Sequence, residues 1–294
     1  MNPHTEMNTL KDLVASGRER EGVAIDALDR TTPYSYREFA TNVWKAGNLL
    51  GHYGARGGTV AVAVGPKAAE MDGAERFGTV DAAEPLLAIL GGTLLGVPVT
   101  VLDDGGAENA DAPSDSVKSV LPDETRVLVV PWGWVERYDP PPACSVIAYG
   151  GPPTAPSVAH FEAEMWSETP VEPPERVEMA DDALRIDGES YTHGGLVAAI
   201  EAVVEALALD ESSTVGLAVP VTSPGSFVAG VLAPLSVGAT IELGGDPEQF
   251  TGREDVPVIL TEEGDRGDDG DGDEARVPVS GMTERVHSAD STTQ

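Results

Sequence analysis

Hydrophobic positions along this chain alternate between a helical and an extended period. Leu10, Leu13 and Val14 share one face of a short helix, with Gly17 placed as its left-handed stop. Residues 22–28 are apolar enough for a strand, and the turn DRTTPYS leads to Ser35, three residues before Glu38, the spacing of a capping box. The next helix carries Phe39, Val43, Ala46, Leu50 and Tyr53 on one face and Gly54 at its end. GTVAVAVG (58–65) is a buried strand, and a polar connection spans 66–82. EPLLAILGGTLLGVPVTVLDD then predicts a helix apolar on most sides, a Gly-Val-Pro turn and a strand ending at Leu102. A helix of that kind packs between layers. After an acidic loop at 103–118, the runs TRVLVVP and CSVIAYG are further strands, with Trp132 and Trp134 anchoring the connection between them.

The second half repeats this logic. ALRID predicts a strand, and YTHGGLVAAIEAVVEALAL a helix capped by Thr192 or Ser190, with Leu196, Ile200, Val203, Val204 and Leu207 inward. STVGLAVPV is a strand, SFVAGVLAPLSVG a helix, and ATIEL and VPVILT are strands. PLLAILGGTLLGVPVTVL and SFVAGVLAPLSVGATIEL echo each other, each an apolar helix ending at Gly96 or Gly238 and followed by a strand. The expected fold class is therefore α/β, two tandem doubly wound subdomains with mostly parallel sheets. Residues 1–150 form the first subdomain, 151–180 an acidic Pro-rich linker, 181–262 the second subdomain and 263–294 a disordered acidic tail.

Composition narrows the function classes. The 294 residues hold 50 acidic and 18 basic side chains, a formal charge of −32, and the only lysines are Lys11, Lys45, Lys67 and Lys118. Such an acid-rich, lysine-poor surface resembles that of proteins solvated in molar salt, and it argues against nucleic acid, whose phosphates need clustered cations. Cys144 is the single cysteine, which excludes an intrachain disulfide and a thiolate metal cluster. The N-terminus lacks the pattern of a signal peptide and no apolar run is long enough for a membrane span, so a soluble, cytoplasmic protein is expected.

Candidate chemistry is sparse. His193 stands in the first turn of a helix beside Gly194 and Gly195, where a capping or surface role is expected over general-base work. His4, His52, His160 and His287 have no metal-ligand spacing. Asp269, Asp271 and Asp273 fail as a calcium loop, because Glu274 stands where the sharp turn needs glycine and Ser280 where a bidentate carboxylate belongs. Ser223 and Ser226 flank Gly225 without a GxSxG elbow, and neither GxGxxG nor GxxxxGK[ST] occurs.

Three stretches resemble the N-terminal region of the AMP-forming acyl-CoA synthetases and their adenylate-forming relatives. PYSYREFATNVWKAGNLLGHYGARGGTVAVAVG is similar to the family's Thr-Tyr-x-Glu-Leu helix and the strand after it, and EPLLAILGGTLLGVPVTVLD to its LLAILKAGAVYVPLD segment. YTHGGLVAAI with LAVPVTSPGSFVAGVLAPLSVGATIEL looks like the stretch that follows the phosphate loop. The resemblance covers most of residues 20–245 and implies that a phosphate loop rich in Ser, Thr and Gly, ending Pro-Lys-Gly, should lie between ALRI and Thr192. Only Asp187, Gly188, Glu189, Ser190 and Tyr191 fill that gap; Asp-Gly signals a tight turn, and two carboxylates would repel a triphosphate. Val221, Thr222, Ser223 and Pro224 stand where the family usually carries a histidine beside the acyl pocket. The family's adenine-binding strand, Tyr-Gly-x-Thr-Glu motif, ribose aspartate and catalytic lysine have no counterpart, so a truncated homologue is implied.

These departures lead to an expectation of a homologue without catalytic residues, cofactor or metal, acting in binding, regulation or assembly. Ser190, Thr192, His193, Thr222 and Ser223 would line a remnant cleft for a small acyl or nucleotide ligand. The expected protein partner is a full-length synthetase or a second copy of the chain, with no nucleic acid and no membrane. The competing expectation is an acid:thiol ligase subunit completed by a second polypeptide. Fold analogy alone does not choose between them.

Overall fold

The computed structural model describes residues 7–27, 31–65, 67, 81–102, 118–244, 250, 258–261, 275–278 and 286. Its first half contains α1 (Leu10–Gly17), β1 (Val23–Ala27), β2 (Tyr34–Ser35), α2 (Tyr36–His52), β3 (Thr59–Ala63), α3 (Glu84–Thr93), β4 (Val99–Leu102), β5 (Ser119–Val120), β6 (Thr125–Pro131), β7 (Tyr138–Asp139) and β8 (Ser145–Tyr149). Then come β9 (Val158–His160), α4 (Phe161–Ser167), β10 (Asp182–Ile186), β11 (Glu189–Thr192), α5 (His193–Leu207), β12 (Thr214–Leu217), α6 (Pro224–Phe227), α7 (Ala233–Val237), β13 (Thr240–Leu243), β14 (Val258–Thr261) and β15 (Ala275–Pro278). The acidic loop expected at 103–118 and the calcium-loop candidate lie outside the described residues, apart from Lys118.

Local signals form as the residue patterns dictate. The Ser35–Glu38 capping box is complete, Thr192 rather than Ser190 caps α5 by accepting from the Gly195 N–H, and Gly54, Gly96 and Gly238 adopt positive φ as helix stops. Gly17 does not: its helix runs on into an αR cap at Arg18, and the left-handed glycine is Gly22, with φ 97°. The 224–237 helix contains a π turn at Val228–Leu232 closed by Ala233 N–H to Val228 C=O. Pro234, which lacks a donor, follows at once, and the longer bond keeps the preceding amide satisfied.

The sheets are α/β and mostly parallel, but they are not cut where the chain was expected to divide. One sheet has the order β15-β14-β12-β13-β1-β2, so β1 and β2 join second-half strands. The other has the order β11-β10-β4-β3-β6-β8-β9, so β10 and β11 join first-half strands. Ile25 pairs with Ile241 and Leu184 with Val99, crossing the division at 151–180 in both directions. Among the described residues, only the β1–β2 and β10–β11 pairs are antiparallel. Residues 151–180, expected as an acidic Pro-rich linker, supply β9 and α4 and then an extended strap bound along α1 and α2. Lys11 Nζ donates to the carbonyls of Pro173 (2.7 Å) and Glu175 (2.5 Å), and Asn48 Nδ2 to those of Thr169 (3.0 Å) and Val171 (2.8 Å). Within 263–294, expected as a tail, Ala275–Pro278 pairs parallel with β14.

A helical layer joins the sheets. α2 packs on β1 and β2 on one side and on α3 on the other, and α3 packs on β3, β4 and β6. Gly47 and Gly91 let α2 and α3 approach closely; a Cβ on Gly47 would lie 2.8 Å from the Gly91 carbonyl oxygen and 3.0 Å from Pro173 Cγ. Val60 and Val62 of β3 face this core, while Ala61 and Ala63 face a smaller cluster with Leu128, Val130, Trp134 and Tyr138. All five residues of β3, Thr59 to Ala63, are buried, as its valine and alanine content predicts for a central parallel strand.

Candidate functional site

The stretch that decides the chemistry is the connection between β10 and β11. Ile186 pairs with Glu189, Arg185 with Ser190 and Leu184 with Tyr191, and only Asp187 and Gly188 lie between the strands. Both have positive φ, 53° and 77°, the geometry of a type I′ turn. The connection is thus a closed hairpin whose backbone groups pair with each other. Its exposed tip presents the side chains of Asp187 and Glu189, and the neighbouring Arg185 is turned to Glu124, 3.4 Å away. Anion binding needs converging N–H donors and positive charge, and this tip offers carboxylates instead.

The expected cleft residues are spent on local structure. Ser190 is exposed on β11, and Thr192 caps α5. His193 is fully buried, not at the surface, and it caps a different helix: its Nδ1 accepts the N–H of Leu10, the first residue of α1, at 3.2 Å. Burial lowers its pKa to about 4, against smaller opposing effects of Asp181 and Asp12. A neutral imidazole with Nδ1 engaged and its ring in the core is a structural group. Thr222 sits in a turn, and Ser223 caps α6, accepting the Ser226 N–H at 3.2 Å and lying 2.9 Å from the Ser226 hydroxyl.

Open α/β sheets place ligands beyond the carboxyl ends of strands where the winding reverses, here between β3 and β6. That crevice is filled from within. The Trp134 ring lies against Gly65 so closely that a Cβ there would overlap it, and Trp134 is fully buried, as expected of a loop anchor. The Tyr149 hydroxyl accepts from Gly65 N–H at 3.0 Å and lies 3.1 Å from the Ala63 carbonyl. Beside it Lys67 Nζ contacts Glu84 Oε1 at 2.7 Å, where Glu84 opens α3. Burial raises the Glu84 pKa, and the Lys67 contacts only partly offset this. No local pattern links Lys67 to Glu84; the signal in the sequence is an acid directly preceding the apolar PLLAIL run. The chain's own carboxylate occupies the helix N-terminus that would otherwise attract an anion.

A cavity of about 440 Å³ lies elsewhere, between α1 and the strap, lined by Thr9, Lys11, Asp12, Glu172, Glu175 and Arg176 among others. None of the five expected cleft residues lines it. Among the described residues no group of acidic, histidine and cysteine side chains is arranged to hold a metal, and no helix is long and apolar enough to cross a membrane.

No protein-family model matches the sequence, and no curated protein sequence matches it. Solved structures do match the fold. The N-terminal domain of FACL13 from Mycobacterium tuberculosis superposes with a TM-score of 0.66 at 13% identity, over 87% of this chain and 63% of that one. The anthranilate CoA ligase AuaEII, crystallised with anthranoyl-AMP, gives 0.64 at 16% identity over 86% and 48%. O-succinylbenzoate coenzyme A synthetase from Bacillus subtilis gives 0.58 at 14% identity over 85% and 50%. The chain therefore has the fold of the N-terminal region of adenylate-forming enzymes, and it spans less than two thirds of the length of these structures.

Proposed function

We propose that this protein is a non-catalytic relative of the acyl-CoA synthetase N-terminal region, acting as a binding, regulatory or assembly protein. One observation carries the reading: a two-residue turn, Asp187–Gly188, closes β10 onto β11 where the resemblance calls for a phosphate loop. An enzyme that adenylates a carboxylic acid must hold a triphosphate while the acid attacks the α-phosphorus, and it stabilises the developing charge with amides, hydroxyls and cations. A two-residue hairpin turn offers no converging row of amides, and its acidic tip repels the substrate. His193, Thr192 and Ser223 contribute caps in place of ligand contacts.

ATP–pyrophosphate exchange across a panel of aliphatic and aromatic carboxylic acids tests this directly, at molar salt and at low salt. Background rates are expected throughout, and exchange above background with any acid would overturn the proposal. Binding is read separately by thermal denaturation with magnesium and ATP. A ligand at a hundred times its Kd stabilises a protein by about 2.7 kcal/mol, a shift of several degrees for a chain of this size. No shift is expected at 10 mM nucleotide. Mixing with a full-length acyl-CoA synthetase, followed by co-purification in high salt, tests the assembly role.

A further inference from the structure

Two helix N-termini, those of α1 and α5, meet at His193, and α1 is thinly packed there. The cavity of about 440 Å³ separates α1 from the strap on one side. On the other, a gap of about 20 Å³ lies between Leu13 and Val14 and the residues beneath them, Tyr36, Phe39, Leu90 and Leu235. Atoms that face a void lose their dispersion partners, so a few polar bonds carry much of the hold on α1. Leu10 N–H donates to His193 Nδ1 at 3.2 Å, and Lys11 Nζ ties the strap through the Pro173 and Glu175 carbonyls and the Glu172 carboxylate. The far end of the strap closes on α5: Gly194 N–H donates to the Met179 carbonyl at 2.8 Å and His193 N–H to that of Asp181 at 3.0 Å. Arg18, stacked 4.3 Å from the Trp44 ring centre, and Arg20, bonded to the Ser236 carbonyl, fix the chain just behind α1.

We propose that α1 and the strap are one acid-released clasp, which opens as a unit when His193 takes up a proton while both sheets stay folded. The trigger is geometric. With Nδ1 accepting, Nε2 carries the ring proton, and it has no hydrogen-bond partner. A second proton would set a donor against Leu10 N–H and leave two unbonded N–H groups in the core. Water reaches the fully buried ring only when its cover moves, and that cover is α1 and the end of the strap. Asp12 and Asp181 face the ring and favour the proton. Both are partly engaged, Asp12 by the Asn8 and Thr9 amides and Asp181 by that of Glu178, and the first turn of α5 adds no acidic side chain. Titration near 6.5 with the clasp open and about 4 with it closed multiplies the open fraction about twenty- to thirtyfold between pH 7.5 and 5. The inference does not depend on whether the phosphate loop is closed.

Hydrogen exchange of the full chain reads the opening, with each amide's rate divided by its intrinsic rate at that pH. At pH 7.5, residues 10–17 and 168–181 are expected to share one protection factor, at least about tenfold below that of β3. At pH 5 both segments should lose about twenty- to thirtyfold of it together. His193→Asn keeps an acceptor and does not titrate, so it should remove that pH dependence. Lys11→Met leaves the imidazole untouched and cuts the bonds between α1 and the strap; it should lower the protection of both segments already at pH 7.5. Protection of α1 equal to that of β3, different pH responses in the two segments, or a wild-type response retained in His193→Asn would each overturn the proposal.

Discussion

His193 makes the stability of this fold depend on pH in a way that can be worked out before measurement. Its ring is fully buried at the junction of two helix N-termini, those of α1 and α5, and Nδ1 accepts from Leu10 N–H. Protonation would turn the acceptor into a donor facing another donor, next to two positive helix ends. Burial of the ring lowers the folded pKa to about 4, against 6.5 for the free side chain, with Asp181 and Asp12 opposing the shift. Above pH 7 the ring is neutral in both states and costs nothing. As pH falls below 6.5 the unfolded chain binds a proton that the folded chain refuses, so stability is lost progressively until the folded form titrates near 4. At pH 5 the unfolded ring is almost fully charged and the folded ring mostly neutral, which corresponds to about 2 kcal/mol lost relative to pH 8.

Carboxylates titrate over part of the same range, so the assay is a difference between variants. His193→Asn keeps an acceptor near the position of Nδ1 and does not titrate; His193→Leu fills the space and removes the acceptor. Urea denaturation at pH 8, 7, 6 and 5 should show wild type losing about 2 kcal/mol more than His193→Asn across that span. At pH 8 His193→Leu should be destabilised by about 1–3 kcal/mol, the cost of leaving the Leu10 N–H without a partner. Parallel pH profiles for wild type and His193→Asn would refute the reasoning. So would an imidazole that titrates near 6.5 in the folded protein by NMR.

Other substitutions probe the fold at separate points. Gly91→Ala, whose Cβ would lie 2.7 Å from the Gly47 amide nitrogen, should cost about 1–3 kcal/mol in chemical denaturation, and Gly47→Ala a similar amount. Lys11→Met removes two carbonyl contacts and an ion pair from the strap and should cost about 1–2 kcal/mol, with faster proteolysis within 168–180. Gly188→Ala places a side chain where φ is 77°, with nothing within 4 Å to obstruct it, so about 1 kcal/mol of backbone strain should appear in the Tm.

The elements of this fold were legible because their signals are local. The Ser35–Glu38 box, the Thr192 cap and the Asp187–Gly188 turn each involve residues at most three positions apart, and the structure forms all three. Strand partners are a different kind of information. A parallel strand such as β10 shows the same apolar run whether its neighbour is β4 or a second-half strand, so periodicity could not assign it to the sheet it joins. The strap failed for the same reason: a proline- and glutamate-rich stretch looks alike free or bound, and its anchors, Lys11 and Asn48, lie more than a hundred residues away.

His193 shows how the two kinds of information combine at the candidate site. Its place in the first turn of a helix beside two glycines points to a capping or surface role; the ring is buried instead, and the helix it caps is α1, 183 residues away from it in sequence. Gly194 is what permits this, because a Cβ there would lie 3.3 Å from Met179, at the end of the strap that closes over the junction. Gly194 thus leaves room for the chain that covers the buried ring. The same reasoning applies to the hairpin beside it. With β11 paired to β10 through Tyr191 and Ser190, and His193 committed to α1, a loop added at the tip lies outside the register that positions α5. Inserting a Ser/Thr/Gly loop between Ile186 and Glu189 should therefore leave α5 and its cap in place and still give no nucleotide binding, because the described basic residue beside the tip, Arg185, already faces Glu124 at 3.4 Å and the exposed tip residues Asp187 and Glu189 are acidic.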